Sequence, residues 1–274
     1  MDDLYRRGSE VEAVLFIGHG SRVSKANKEL LLFTKKVALQ LDAPIIETCF
    51  LEWVSPNIPQ GIDRCVRRGA KRIRLLPIML FAAGHAKVDI PQAIAKAHQK
   101  YPHIQFDYGQ PIGSDKGMLP ILMNQLYLVQ PYPSKQTAVL IVGRGSSDLD
   151  ANSELYKIAR MFWEKSAVQW VEVAYYGVTY PSFEEGIERC ITLGAKEVII
   201  LPYLLFTGVI MRRMKEKLEI QKKKVPSISL QMCHYLGADD LLVDVFSNRL
   251  NQMELPNQVE PMKYPYFWQY ALYQ

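Results

Sequence analysis

One segment of this chain occurs twice. Residues 14–30 read VLFIGHGSRVSKANKEL and residues 139–155 read VLIVGRGSSDLDANSEL, nine identities in seventeen positions at a shift of 125. The same shift aligns PNIPQGIDRCVRRGAKRIRLLPIMLFAAGHAK from Pro56 with PSFEEGIERCITLGAKEVIILPYLLFTGVIMR from Pro181, twelve identities in thirty-two, without a gap. A repeat this long is a domain, not a solenoid unit. The chain of 274 residues is therefore expected to form two copies of one fold, residues 1–130 and 137–274. The segment QPYPSKQ at 130–136 reads as the linker between them.

Within each copy, short apolar runs alternate with stretches of helical spacing. In the first copy the strands are expected at Ala13–Ile17, Pro44–Phe50, Arg72–Met79 and Ile104–Tyr108. The helices are expected at Lys25–Leu41, Pro56–Gly69, Val88–Tyr101 and Gly117–Leu128. This alternation predicts an α/β fold, each half a four-stranded parallel sheet with helices on both faces. The commonest compact order for four such strands is 2-1-3-4. Ligands then sit beyond the carboxyl ends of strands 1 and 3.

That topology brings three reactive groups to one rim. His19 follows strand 1, His85 ends the loop after strand 3, and Glu52 follows strand 2. The second copy keeps the framework Gly, Pro and Cys positions but carries Arg144, Ile210 and Gly177 at the three equivalent places. A scaffold role gives no reason for all three to be lost together, so they are candidates for chemistry confined to the first half. His98, His103 and His234 lack this support and read as structural or solvated. Gly18–Ser21 and Gly143–Ser147 precede helices and fit an anion at a helix N-terminus, with Ser21 and Ser146 as contributors. Neither segment carries a nucleotide-binding pattern.

Composition narrows the class of ligand. Residues 1–130 hold 17 Lys and Arg against 12 Asp and Glu, while residues 131–274 hold 16 of each sign, so the net charge of +5 comes from the first half. No dense basic run interleaves with aromatics, which argues against nucleic acid. A small polyanion fits better. The most apolar run, Val198–Met211, is 14 residues long, short of the roughly 18–20 that a spanning helix needs. The charged start, Met-Asp-Asp-Leu-Tyr-Arg-Arg, has no secretory h-region. Cys49, Cys65, Cys190 and Cys233 form no C-x-x-C pair. A reduced, cytoplasmic protein with no membrane partner is the expectation.

VLFIGHGSR near the N-terminus, FLE ending at Glu52, GHAKVDIP at 84–91, PIGSD at 111–115, GRGSS at 143–147 and LPYLLFTG at 201–208 together resemble the class II sirohydrochlorin chelatases, the SirB/CbiX group, and its two-domain branch in particular. The resemblance spans the chain apart from about ten residues at the front and twenty at the end. It implies ATP-independent insertion of Fe²⁺ or Co²⁺ into sirohydrochlorin at the end of siroheme synthesis. His19 and His85 match the family's histidines and Glu52 its acidic residue, as metal ligands or proton acceptors. No tightly bound cofactor is implied, the metal being a substrate. Upstream and downstream tetrapyrrole enzymes are further partners to expect. The chain lacks a His-rich stretch and a C-terminal Cys motif, which tilts the expectation toward iron. Its aromatic tail from Tyr264 lies outside the family pattern.

The substrate bears eight carboxylates. Arg22, Lys25 and Lys87 flank the motifs and are expected to bind it, with Arg144 facing them across an active-site cleft between the halves. The second half then serves as lid and wall, with Ile210 and Phe206 offering apolar surface. Two other functions use the same residue types: a metal or tetrapyrrole carrier without turnover, and a His-dependent phosphatase. The phosphatase would want Arg just before His19, where this chain has Gly18.

Overall fold

A computed structural model describes residues 11–253. The charged N-terminal segment and the aromatic tail from Tyr264 lie outside the described residues. The first half runs β1 (Glu12–Gly18), α1 (Ser24–Ala38), β2 (Ile45–Phe50), α2 (Ile58–Arg67), β3 (Arg72–Pro77), α3 (Ile90–Lys100), β4 (Gln105–Tyr108) and α4 (Met118–Val129). The second runs β5 (Thr137–Gly143), α5 (Leu149–Lys165), β6 (Trp170–Tyr175), α6 (Phe183–Thr192), β7 (Glu197–Pro202), α7 (Val209–Lys224), β8 (Ser229–Met232) and α8 (Leu241–Gln252). Every strand pairing is parallel, and the sheet orders are β2-β1-β3-β4 and β6-β5-β7-β8. The expected order is thus present in both halves.

The strand sequences explain the layering. Successive residues of a strand face opposite sides. Ala13, Leu15 and Ile17 of β1 join one cluster with α2 and α3, and Ala138, Leu140 and Val142 of β5 join a matching cluster with α6 and α7. Val14 and Phe16, with Val139 and Ile141, turn the other way into one shared cluster. That cluster also takes in Leu30 and Phe33 of α1, Ile121 and Leu122 of α4, Ile158 and Phe162 of α5, and Phe246 and Leu250 of α8. Capping boxes start the outer helices α2, through Asn57 and Gln60, and α6, through Ser182 and Glu185.

The fourth helix of each half reaches across to the other. α4 packs on α5 and β7, while α8 packs on α1 and α4. Phe246 meets Phe33 edge to face at 5.3 Å. Arg249 Nη2 donates to the Ile112 carbonyl at 2.8 Å, and Lys36 pairs with Asp240 at 2.6 Å. Glu29 of α1 accepts from the Thr207 N–H at 3.0 Å and the Tyr235 hydroxyl at 2.7 Å. The halves are bound together through this exchange, and the cleft between them is held open at the strand ends. Among the described residues, no helix is long and apolar enough to cross a membrane.

Candidate active site

Two turns of the same design form the rim. After β1 the chain passes through Gly18-His19-Gly20, and the turn after β2 is tied to it by Leu51 N–H to Gly18 O at 2.9 Å and Glu52 N–H to His19 O at 3.1 Å. Gly20 has φ +86°, and a Cβ there would lie 2.0 Å from the Glu52 carbonyl oxygen. Only glycine lets the two turns come this close. The second half repeats the arrangement, with Tyr176 N–H to Gly143 O at 2.9 Å and Gly177 N–H to Arg144 O at 3.1 Å. There Gly145 has φ +86° against the Gly177 carbonyl. The backbone is duplicated, and the side chains of His19, Glu52 and His85 are not.

His85 does not end a loop as expected. It opens a π-helical turn, His85–Asp89, that leads directly into α3. The wide turn sets His85 at the helix entrance, beside the end of β1. The rings of His19 and His85 stand edge to face with centroids 4.8 Å apart. His85 Nε2 is 3.6 Å from Glu52 Oε1. One ligand atom from each of His19, Glu52 and His85 falls within 4.8 Å of the other two, the one group of metal-binding type among the described residues.

Hydrogen bonding settles which ring nitrogen is free. His19 Nδ1 lies 3.3 Å from the Gly20 carbonyl, which can only accept, so Nδ1 carries the proton. His19 Nε2 is then a lone pair, and it is buried without a partner. His85 Nδ1 lies 2.6 Å from Asp89 Oδ2. A carboxylate on Nδ1 orients the ring and leaves Nε2 facing Glu52, as in metal sites. Asp89 was missed in the sequence, although its i+4 spacing from His85 places it on the same face of a helical turn. Burial holds the His19 pKa below its ordinary 6.5; Arg144 and His85 push it the same way, while the Gly20 bond and Glu52 act against them. A neutral imidazole is the form that binds metal.

The cleft beside the histidines has a volume of about 810 Å³. Its walls include Phe81 of the first half and Tyr203, Phe206, Ile210 and Met211 of the second, so Ile210 and Phe206 face the cleft as expected. Phe81 and Tyr203 stack across the halves at 5.3 Å. Ser21, Arg22, Arg144 and Ser146 also line it. Arg22 and Arg144 have no carboxylate partner among the described residues.

Two expected contributors lie elsewhere. Lys25 is exposed on α1 and is not part of the cleft wall. Lys87 bridges the halves instead, with Nζ 2.7 Å from Asp148 and 2.8 Å from Asp150. Those partners hold its pKa up against the opposing effect of burial. The N-terminus of α5 is likewise taken: Asp148 accepts from the Asp150 and Ala151 N–H groups. The helix-end anion site expected at Gly143–Ser147 is thus filled by the chain's own carboxylate. The Ser21 and Ser146 hydroxyl oxygens accept from the N–H groups of Val23 and Asp148, both at 3.0 Å. His98, His103 and His234 are exposed and are not part of the trio.

The CbiX family model matches residues 13–127 and again residues 138–253. The chain belongs to the CbiX family. The double match coincides with the internal duplication. Within the family, it is 45% identical to a sirohydrochlorin cobaltochelatase of Priestia megaterium, over 89% of this chain and 81% of that protein. It is 36% identical to a sirohydrochlorin ferrochelatase of the same organism, over 89% and 91%. SirB from Bacillus subtilis, solved with Fe³⁺, superposes with a TM-score of 0.80 at 31% identity, over 88% of this chain and 95% of that one. Relatives named for iron and for cobalt thus both align along nearly the whole chain.

Proposed function

We propose that this CbiX-family protein inserts a divalent first-row metal, Fe²⁺ or Co²⁺, into sirohydrochlorin. The observation that carries this is the convergence of the His19 and His85 imidazoles with the Glu52 carboxylate beside a cleft with apolar sides. The names of its relatives support the substrate. Imidazole suits borderline first-row metals. Three ligands that leave positions open hold a metal that must be passed on, whereas a closed four-ligand cage would retain it. Insertion exchanges two pyrrolic protons for one M²⁺ with no redox change. His19 and His85 give up the metal as the macrocycle takes it, and their freed Nε2 lone pairs accept protons. Glu52 contributes charge and a ligand oxygen.

Residues 1–130 supply this chemistry and residues 137–274 act as wall and lid. Arg144 cannot lose its proton at working pH and is a poor metal ligand, but its guanidinium forks onto carboxylates. With Arg22 it faces the carboxylates of the substrate, and Ser21 and Ser146 border the same wall. The four cysteines are all free and buried, which supports a reducing, cytoplasmic setting.

The test is the absorbance change of sirohydrochlorin on adding Fe²⁺ or Co²⁺, with and without protein. His19→Ala and His85→Ala should each slow insertion by at least ~100-fold, the lower range for a positioned acid–base group, with circular dichroism unchanged. Glu52→Gln should be slowed as well. Near-wild-type rates in both histidine variants would overturn the assignment. Binding of both substrates without turnover would leave a carrier.

A further inference from the structure

We propose that Trp53 is a positioning residue for the substrate: its indole holds the Arg22 guanidinium at the cleft rim to receive a peripheral carboxylate of the macrocycle. This builds on the function proposed above, which does not assign Trp53 a role. Trp53 directly follows Glu52 and Arg22 is the third residue after His19, so the pair spans the two turns that carry the metal-binding trio. The Arg22 guanidinium carbon lies 3.8 Å from the centre of the indole ring. Both side chains line the cleft. Trp53 is nevertheless 60% exposed, and its φ of 64° is a left-handed backbone that bulky side chains rarely adopt.

The second half shows that the turn itself does not need this pair. Val178, the equivalent of Trp53, has φ 72° and is 69% exposed. The position equivalent to Arg22 is Ser147. The same turn therefore forms without an indole or a guanidinium, so they are not there to make it fold. A guanidinium stacked on a ring keeps its in-plane N–H groups free. Arg22 has no carboxylate partner among the described residues, so those groups are available. Restricting the guanidinium beforehand lowers the entropy lost when a carboxylate docks. A bidentate fork then sets the macrocycle's edge at a fixed distance from the Nε2 atoms of His19 and His85.

The test is titration of metal-free sirohydrochlorin into wild type, Trp53→Ala, Trp53→Phe, Arg22→Gln and the Trp53→Ala/Arg22→Gln double variant, with Co²⁺ affinity measured separately on each. Trp53→Ala should weaken macrocycle binding about fivefold, and Arg22→Gln about tenfold. The double variant should be no weaker than Arg22→Gln, because Trp53 acts through Arg22. Trp53→Phe should recover most of the loss, and Co²⁺ affinity should not move. Unchanged binding in Trp53→Ala, full additivity in the double variant, or a parallel loss of Co²⁺ affinity would each overturn the proposal. A wild type that binds the macrocycle without inserting metal would refute the proposed activity alone.

Discussion

One neighbouring side chain acts on each imidazole of the trio, Arg144 on His19 and Asp89 on His85. His19 is held neutral chiefly by burial and secondarily by the Arg144 cation across the cleft. Arg144→Ala should therefore raise the His19 pKa but leave it below 6.5, because burial remains; NMR titration of the imidazole resonances in the metal-free protein measures this directly. The same shift has a thermodynamic consequence. Between 6.5 and the lower folded value, the unfolded chain holds a proton that the folded chain lacks. Folding stability should decline as pH falls through that window, and a His19→Phe variant should show a flatter dependence in urea unfolding. Asp89 acts on the other ring. Asp89→Asn retains an acceptor but removes the charge behind Nδ1, and Co²⁺ affinity should drop about tenfold by absorbance titration, the low end for a partner of a ligating histidine.

At the scale of the element, the turn after the central strand is a rigid module used twice. Gly20→Ala would drive a methyl group into the Glu52 carbonyl oxygen and Gly145→Ala into that of Gly177, at 2.0 and 1.9 Å. Each should cost roughly 1–3 kcal/mol in denaturant unfolding, the scale of a strained backbone position. The two should differ in function. Gly20→Ala displaces Glu52, a ligand in the proposed metal site, and should lower Co²⁺ affinity. Gly145→Ala disturbs a turn that carries none of the trio and should not. The π-helical turn at His85 belongs to the same scale. An α-helix starting at Val88 would have left His85 on a loop, whereas the wide turn draws both His85 and Asp89 into one helical face.

The whole molecule folds around a cluster that belongs to neither half. Phe246 of α8 is fully buried against Phe33 of α1. Phe246→Ala should cost about 3–5 kcal/mol. Unfolding followed by tryptophan fluorescence and by far-UV circular dichroism should remain one coincident transition, because the exchanged helices make each half depend on the other. A second transition at separate denaturant would show the halves to be independent. The two halves also meet at the site, where Phe81 and Tyr203 stack from opposite sides and both line the cleft.

Much of this was legible in the chain. The duplication, the apolar central strands and the glycine-marked turns determined two parallel sheets in the order 2-1-3-4, since burial of both strand faces and short connections leave few other solutions. That order brought the ends of the strands that precede His19, Glu52 and His85 to one rim, the π-helical turn completed the placement of His85, and the comparison of the two repeats singled out the three positions as differing between copies of one framework. Charge was another matter. Lys87 sits within the motif GHAKVDIP, yet only the packed structure brings Asp148 and Asp150 within 3 Å of it, because ion pairing depends on distances between segments more than sixty residues apart. The helix exchange was equally silent, since α4 and α8 show the same apolar periodicity whichever sheet they cover. Local pattern determines what a segment buries; only the tertiary structure decides against which partner it is buried, and so which charges remain free to meet a ligand.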